Sequence, residues 1–196
     1  MKLSILILTH NRPLLFERCL KSVLHNMPCG VELLINNDSN DIVEYKHDHI
    51  HYFYEQSENI SELYKFIFDK SSAEYVYFLE DDDYLEEYFW GLLKTLTHDL
   101  YYMNFKPVED AIIPIHKFEI EKKNDLFQLS QILFKKKLCT EFPDGNHLDN
   151  DWKMFQNILS NTDDIKLIKV PMFVQTTDGK DNISFKEFNN DKRFDS

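Results

Sequence analysis

Residues 73–85 read AEYVYFLEDDDYL. Tyr75, Val76, Tyr77, Phe78 and Leu79 form an unbroken run of aromatic and apolar side chains, which predicts a strand over 75–79 buried on both faces. That strand ends directly in four acids, Glu80, Asp81, Asp82 and Asp83. Toward the N-terminus, residues 3–8 (LSILIL) are a second such run and lead into Thr9-His10-Asn11-Arg12. Residues 31–35 are a third and lead into the polar loop 36–41; residues 50–54 are a weaker fourth. Helical spacing fills the gaps. Asn11 is expected to cap a helix with Pro13 in its first turn and Phe16, Cys19, Leu20, Val23 and Leu24 on its inner face. A helix over 61–68 turns Ile60, Leu63, Ile67 and Phe68 inward, and a third begins at Tyr84 with Leu85, Phe89, Leu92 and Leu96.

Strands alternating with helices predict βαβ units and a parallel sheet. In open α/β sheets ligands bind at the carboxyl ends of the strands. The three polar clusters, 9–12, 36–41 and 80–83, are therefore expected to converge on one crevice. The second half is less regular. It suggests strands over 101–105 and 111–115, helices over 127–134 and 152–159, and two strands, 165–170 and 172–175, separated by Pro171.

Composition narrows the function. A chain of 196 residues, 43% hydrophobic and 14% aromatic, buries a real core as one domain. The net charge of −12 leaves no broad basic footprint for a nucleic-acid backbone, although a local patch could still serve. Lys135, Lys136 and Lys137 are the one dense basic run, read as a solvated helix end. Three cysteines without CxxC spacing read as reduced thiols of a cytoplasmic protein. The apolar run at 3–8 is too short for a signal-peptide core or a membrane span. The four glycines are isolated, so neither a P-loop nor GxGxxG can be built. Carboxylates holding a metal are the remaining common device for a diphosphate.

Two readings compete for Glu80 to Asp83. One is a solvated acidic turn capping the helix at Tyr84. The other is an all-oxygen site for Mg²⁺ or Mn²⁺, since like charges this close require solvent or a cation. Their place at a strand end beside two other polar loops favours the second. Asp149-Asn150-Asp151 opens the helix at Trp152, where Asp149 serves as an N-cap and Asp151 has the chemistry of a general base. His47, His49 and His51 alternate as one face of an exposed edge strand, with metal ligation as the alternative. His10 lies in the first strand-end loop, where it could contact a ligand.

Several stretches together resemble the family 2 glycosyltransferases. Residues 3–24 (LSILILTHNRPLLFERCLKSVL) look like the family's opening strand, Thr-x-Asn-Arg turn and helix. Residues 31–41 (VELLINNDSND) look like its second strand and Asp-rich loop, and 73–85 its strand and DxD motif. Residues 142–155 (FPDGNHLDNDWKMF) resemble the approach to its Glu-Asp motif, and 170–184 its closing strand.

The resemblance implies an α/β protein of the GT-A (nucleotide-diphospho-sugar transferase) fold, with a mainly parallel central sheet flanked by helices. It implies one domain over 1–196, with 1–100 the nucleotide-sugar-binding half, 101–185 the acceptor half and 186–196 a polar tail. Glu80, Asp82 and Asp83 would hold Mn²⁺ or Mg²⁺, with Asp82 central. Thr9, Asn11, Arg12, Asn36, Asp38 and Asp81 would bind the donor, a UDP-sugar by default. Asp151 would be the base of an inverting transfer to a glycan, lipid-linked or small-molecule acceptor. The Gln-x-x-Arg-Trp motif of processive synthases is absent, which implies single-sugar transfer.

There are departures. Asn36 and Asn37 stand where the family usually has an Asp that contacts the base or ribose. The Ala-Arg-Asn of its next helix is replaced within NISELYKFI, residues 59–67, and the late His of the metal site has only Thr177 or Asp178 nearby. Three alternatives follow: a phage-type enzyme acting on hydroxymethylated DNA bases, disfavoured by the charge; a nucleotidyltransferase, which lacks its Gly-rich signature here; and a non-catalytic nucleotide-binding module.

Overall fold

Alternation along the first strand divides the core into two layers. In the computed structural model, which describes residues 1–39, 44–107, 127–145 and 149–176, strand β1 spans Leu3–Thr9. Its Leu3, Ile5 and Ile7 face helix α1 (Pro13–Leu24), which answers with Phe16, Cys19, Leu20 and Val23. Its Leu6 faces the other way, toward Ile67 and Phe68 of helix α2 (Ile60–Lys70) and Phe155 and Ile158 of helix α4 (Asn150–Ser160). Successive side chains of a strand point to opposite faces, so an all-apolar strand demands cover on both.

Strands β2 (Val31–Asn37), β3 (Ile50–Phe53) and β4 (Tyr75–Phe78) complete the parallel half, pairing β3–β2–β1–β4. Beyond β4 the sheet becomes mixed. The remaining strands are β5 (Tyr84–Leu85), β6 (Leu100–Pro107), β7 (Ile132–Lys135) and β8 (Ile165–Gln175), and helix α3 is the single turn Phe89–Leu92. The full order is β3-β2-β1-β4-β7-β6-β8-β5. Strand β7 runs antiparallel to both β4 and β6, β6 is parallel to β8, and β5 is antiparallel to β8.

Several local expectations change. Residues 127–134 are not a helix. A short 3₁₀ turn, Leu129–Gln131, leads into β7, whose Ile132, Leu133 and Phe134 are all buried. A strand covered on both faces has no apolar period to distinguish it from a buried helix. The helix expected from Tyr84 starts only at Phe89, and Tyr84 and Leu85 instead form β5, which pairs with Phe173 and Val174 of β8. Residues 165–175 form one strand rather than two. Pro171 sits opposite Asn104, where the β6–β8 register shifts, so the bulge absorbs the missing N–H. Strand β2 continues through Asn36 and Asn37, which therefore lie in the sheet and not in the loop. Asn11 does not cap α1. It takes φ 52, a left-handed conformation Asn tolerates, and Arg12 stands at the cap position without a side-chain cap bond.

Asp149 is at the N-cap of α4, but its carboxylate pairs with Lys153 at 2.9 Å instead of capping. Lys135 and Lys136 pair with Asp99 (2.9 Å) and the Ser71 carbonyl (2.6 Å), so the basic run ends β7 and enters a short 3₁₀ turn, Lys136–Leu138, rather than ending an α-helix. His51 lies on edge strand β3, while His47 and His49 occupy the turn before it. The expected strand 111–115, Asp41, Thr177, Asp178 and the tail 186–196 lie outside the described residues. No helix among those described is long and apolar enough to cross a membrane, and all three cysteines are free thiols.

Phe134 is fully buried and stacks with Phe68 and Phe78 at 6.5 and 6.4 Å. Phe134→Ala is expected to lower the free energy of unfolding by about 3–5 kcal/mol in urea titration. Leu14→Ala, at a side chain 80% exposed, should change it by less than about 0.5 kcal/mol.

Candidate active site

The carboxyl ends of β1, β2 and β4 lie side by side. Thr9 pairs in register with Asn37. The loops that follow these two strands are joined through the His10 ring, which bridges Asp38 Oδ1 at 2.6 Å and the Asn11 side-chain amide at 2.7 Å. The Asn11 backbone N–H donates to Ser39 Oγ at 3.0 Å. Asn36 is turned elsewhere. Its amide donates to the Glu55 carbonyl and its oxygen accepts from the Glu55 N–H, both at 3.0 Å.

The four acids follow β4 in a tight turn, with Asp83 N–H donating to the Glu80 carbonyl at 3.1 Å. Asp81, Asp82 and Asp83 are only 1%, 5% and 1% exposed, which rules out a solvated acidic turn. Buried carboxylates need partners, and each has different ones. Arg12 spans two of them, reaching Asp81 Oδ1 at 2.9 Å and Asp82 Oδ2 at 3.0 Å. Asp83 faces away from that pair. It accepts the Thr176 backbone N–H at 3.0 Å and the Ser130 hydroxyl at 3.5 Å. The Glu80 carboxylate has no hydrogen bond or ion pair among the described residues. Arg18 holds the turn itself, donating to the Asp82 carbonyl at 2.6 Å and to Thr176 Oγ1 at 2.8 Å while lying over the Tyr84 ring. The Thr176 hydroxyl also donates to the Asp82 carbonyl.

Burial dominates the proton affinities here. It pushes the Glu80 carboxyl well above its ordinary range, with Asp83, Asp82 and Asp151 adding to the rise. It raises Asp83 to about 8, reinforced by Asp82. It raises Asp81 to about 6 against the opposing pull of Arg12 and Thr9, and Asp82 also rises against Arg12.

Asp151 reaches this region from the first turn of α4. Burial raises it to about 6, and its Oδ2 accepts the Leu129 N–H at 3.4 Å. Its charge adds to the rise at Glu80. The neighbouring Asn150 fixes that position, donating to Ser61 Oγ at 2.9 Å and the Gly145 carbonyl at 2.7 Å. Tyr64 of α2 lies within the field of Asp151, Glu80 and Asp81.

Of the residues picked out from sequence, Asn11 and Asp38 meet through the His10 ring and Arg12 joins Asp81 and Asp82, while Asp151 rests on the Leu129 N–H and Asn36 and Asp83 spend their polar atoms on Glu55, Thr176 and Ser130. Sequence reading missed Arg18, Ser130, Thr176 and Tyr64. A cation on the helix facing the acidic turn was the only available signal, and it pointed to Arg18 no more than to Lys21.

The residues present suit a hard divalent cation. Glu80, Asp81 and Asp82 offer only oxygen, a guanidinium already sits on two of them, and Asp81 Oδ2 is buried without a hydrogen-bond partner. Among the described residues, however, no three acidic, imidazole or thiol groups close around a single point.

Residues 4–155 match the family described as Glycosyl transferase family 2. No curated protein matches the chain in sequence. Among solved structures, TarS of S. aureus in complex with UDP-GlcNAc aligns over 94% of this chain and 61% of its own, with TM-score 0.74 and 15% identity. TarS in complex with UDP aligns over 90% and 61%, with TM-score 0.68 and 15% identity. The mannosyltransferase PcManGT of Pyrobaculum calidifontis, in complex with GDP-Man and Mn²⁺, aligns over 92% and 58%, with TM-score 0.63 and 12% identity. These likenesses are of fold, and the fold is of the GT-A type. The chain spans about three-fifths of the length of these three solved structures.

Asp83 binds its proton more tightly folded than unfolded, so from about pH 4 up to about 8 folding takes up a proton and stability falls as pH rises. Asp83→Asn is expected to flatten the decline in melting temperature between pH 5 and pH 8, measured in EDTA. An unchanged slope would mean that Asp83 is ionised throughout that range.

Proposed function

The chain belongs to glycosyl transferase family 2, and on that premise we propose that it moves one sugar from a nucleoside-diphosphate sugar to an acceptor hydroxyl with inversion. The observation that carries this reading is the Arg12–Asp81–Asp82 cluster at the carboxyl ends of the parallel strands, beside the joined β1 and β2 loops. In this reading residues 1–100 carry the donor and 101–185 the acceptor.

Asp151 takes the acceptor's proton as the hydroxyl oxygen attacks the anomeric carbon. A carboxyl raised to about 6 is ionised at neutral pH yet more basic than an ordinary aspartate, which suits a general base. Thr9, Asn11 and Asp38 line the donor side, and Asn36 supports that wall through Glu55. Glu80 and Asp82, with Asp81, would hold Mn²⁺ or Mg²⁺, which when bound offsets charge on the departing diphosphate. A UDP-sugar remains the first choice of donor, supported by the complexes of TarS. The GDP-Man complex of PcManGT keeps the base open to test. The acceptor is a glycan, a lipid-linked sugar or a small molecule. The charge of −12 weighs against DNA.

The test is a thermal shift with UDP, GDP and other nucleoside diphosphates, with and without Mn²⁺. A ligand at about 100 times its dissociation constant adds roughly 2.7 kcal/mol of stability. One diphosphate should raise the melting temperature with Mn²⁺ present, and Asp82→Asn should abolish the rise. If no diphosphate shifts the native chain, the donor-site reading fails.

With the donor known, Asp151→Asn should lower kcat by roughly 10²–10⁴-fold while leaving the donor-induced melting shift intact. The native rate should climb as pH passes through about 6. A flat profile would remove Asp151 from the role of base.

A further inference from the structure

Arg12 pairs with two of the carboxylates that the donor-site reading assigns to a divalent cation. Its guanidinium lies 2.9 Å from Asp81 Oδ1 and 3.0 Å from Asp82 Oδ2, and its side chain is 15% exposed. A guanidinium seated on a carboxylate oxygen competes with a metal ion for that carboxylate. The carboxylates also do not form a closed cage among the described residues. Phosphate-bound Mg²⁺-type sites are commonly built from one or two carboxylates, the rest of the coordination coming from substrate phosphates and water.

Arginine matches the fork of a phosphate group as well as it matches a carboxylate. Its position favours such a change of partner. Arg12 stands at the junction of the β1 loop and α1, after Asn11 in its left-handed conformation, and its side chain makes no cap bond to the helix. We propose that Arg12 is an exchangeable counter-ion: it holds Asp81 and Asp82 in the ligand-free protein, yields them to a divalent cation, and passes to the donor's diphosphate. The diphosphate thus supplies ligands to the metal and a new partner to the displaced guanidinium. Metal and donor consequently bind with positive coupling, and by linkage each strengthens the other by the same factor. Arg12 is in this sense a positioning residue. The exchange rests on the donor-site reading above, but its first test needs no nucleotide.

The native chain is titrated with Mn²⁺ alone, and bound metal is followed by loss of the free-ion EPR signal. Arg12→Gln is expected to bind Mn²⁺ at least about tenfold more tightly than the native chain, a difference worth about 1.4 kcal/mol. Arg12→Lys, which keeps the cation, should stay near native, and Arg12→Gln combined with Asp82→Asn should lose the gain. If Arg12→Gln folds poorly without metal, recovery of its thermal melt by Mn²⁺ reports the same gain. Equal affinities, weaker binding by Arg12→Gln, no binding by either protein, or no recovery of the melt would each overturn the exchange. None of these outcomes touches the diphosphate-induced shift of the native chain, so failure of the exchange and failure of the donor reading remain distinguishable.

Discussion

Four consecutive acids at the end of one strand, three of them buried, impose the arrangement of everything around them. Charge removed from water needs compensation within reach. Here it arrives from four separate parts of the chain: Arg12 from the loop after β1, Arg18 from α1, Ser130 from the turn before β7, and Thr176 from the end of β8. Arg18 and Thr176 hold backbone and frame, which leaves Arg12 with the carboxylates of Asp81 and Asp82. A substitution at Arg18 is therefore a change of shape, whereas one at Arg12 is a change of charge at the site itself.

The mixed sheet follows from the same requirement. The parallel half places three polar loops on one edge but offers nothing beyond β4. Inserting β7 antiparallel between β4 and β6 brings the turn at Leu129–Gln131 beside the acids. That turn serves two of them at once, with Ser130 on Asp83 and the Leu129 N–H on Asp151. Helix α4 is pinned by Asn150 to the start of α2, so the carboxyl of Asp151 is set by contacts that do not themselves belong to the crevice.

What the sequence made legible divides along physical lines. Strands β1, β2 and β4 and helices α1, α2 and α4 were readable because their apolar patterns are local. Strand β7 was misread because Ile132, Leu133 and Phe134 are buried on both faces and carry no period. The β5 segment was misread because acids before a hydrophobic residue look like a helix start, and only pairing with Phe173 and Val174 makes Tyr84 and Leu85 extended. In the site, strand-end carboxylates announced themselves. Their partners did not, because the pairings span 64 residues for Arg18, 47 for Ser130 and 93 for Thr176. No periodicity couples positions that far apart.

The departure at position 36 looks different once its neighbours are known. Asn36 is almost fully buried, and its amide meets the Glu55 backbone with one donor and one acceptor. An ionised aspartate there could accept from the Glu55 N–H but would set its second oxygen against the Glu55 carbonyl, leaving two acceptors facing each other in a buried place. Asparagine thus suits a wall formed by closing the segment after β3 onto the end of β2. Gln56 extends that closure by donating to the Asp38 carbonyl at 3.1 Å. The acid on this side of the crevice is then Asp38, one residue beyond the strand and held by the His10 ring. Asparagine at position 36 accordingly reflects how this wall is built, and Asp38 still places an acid beside it.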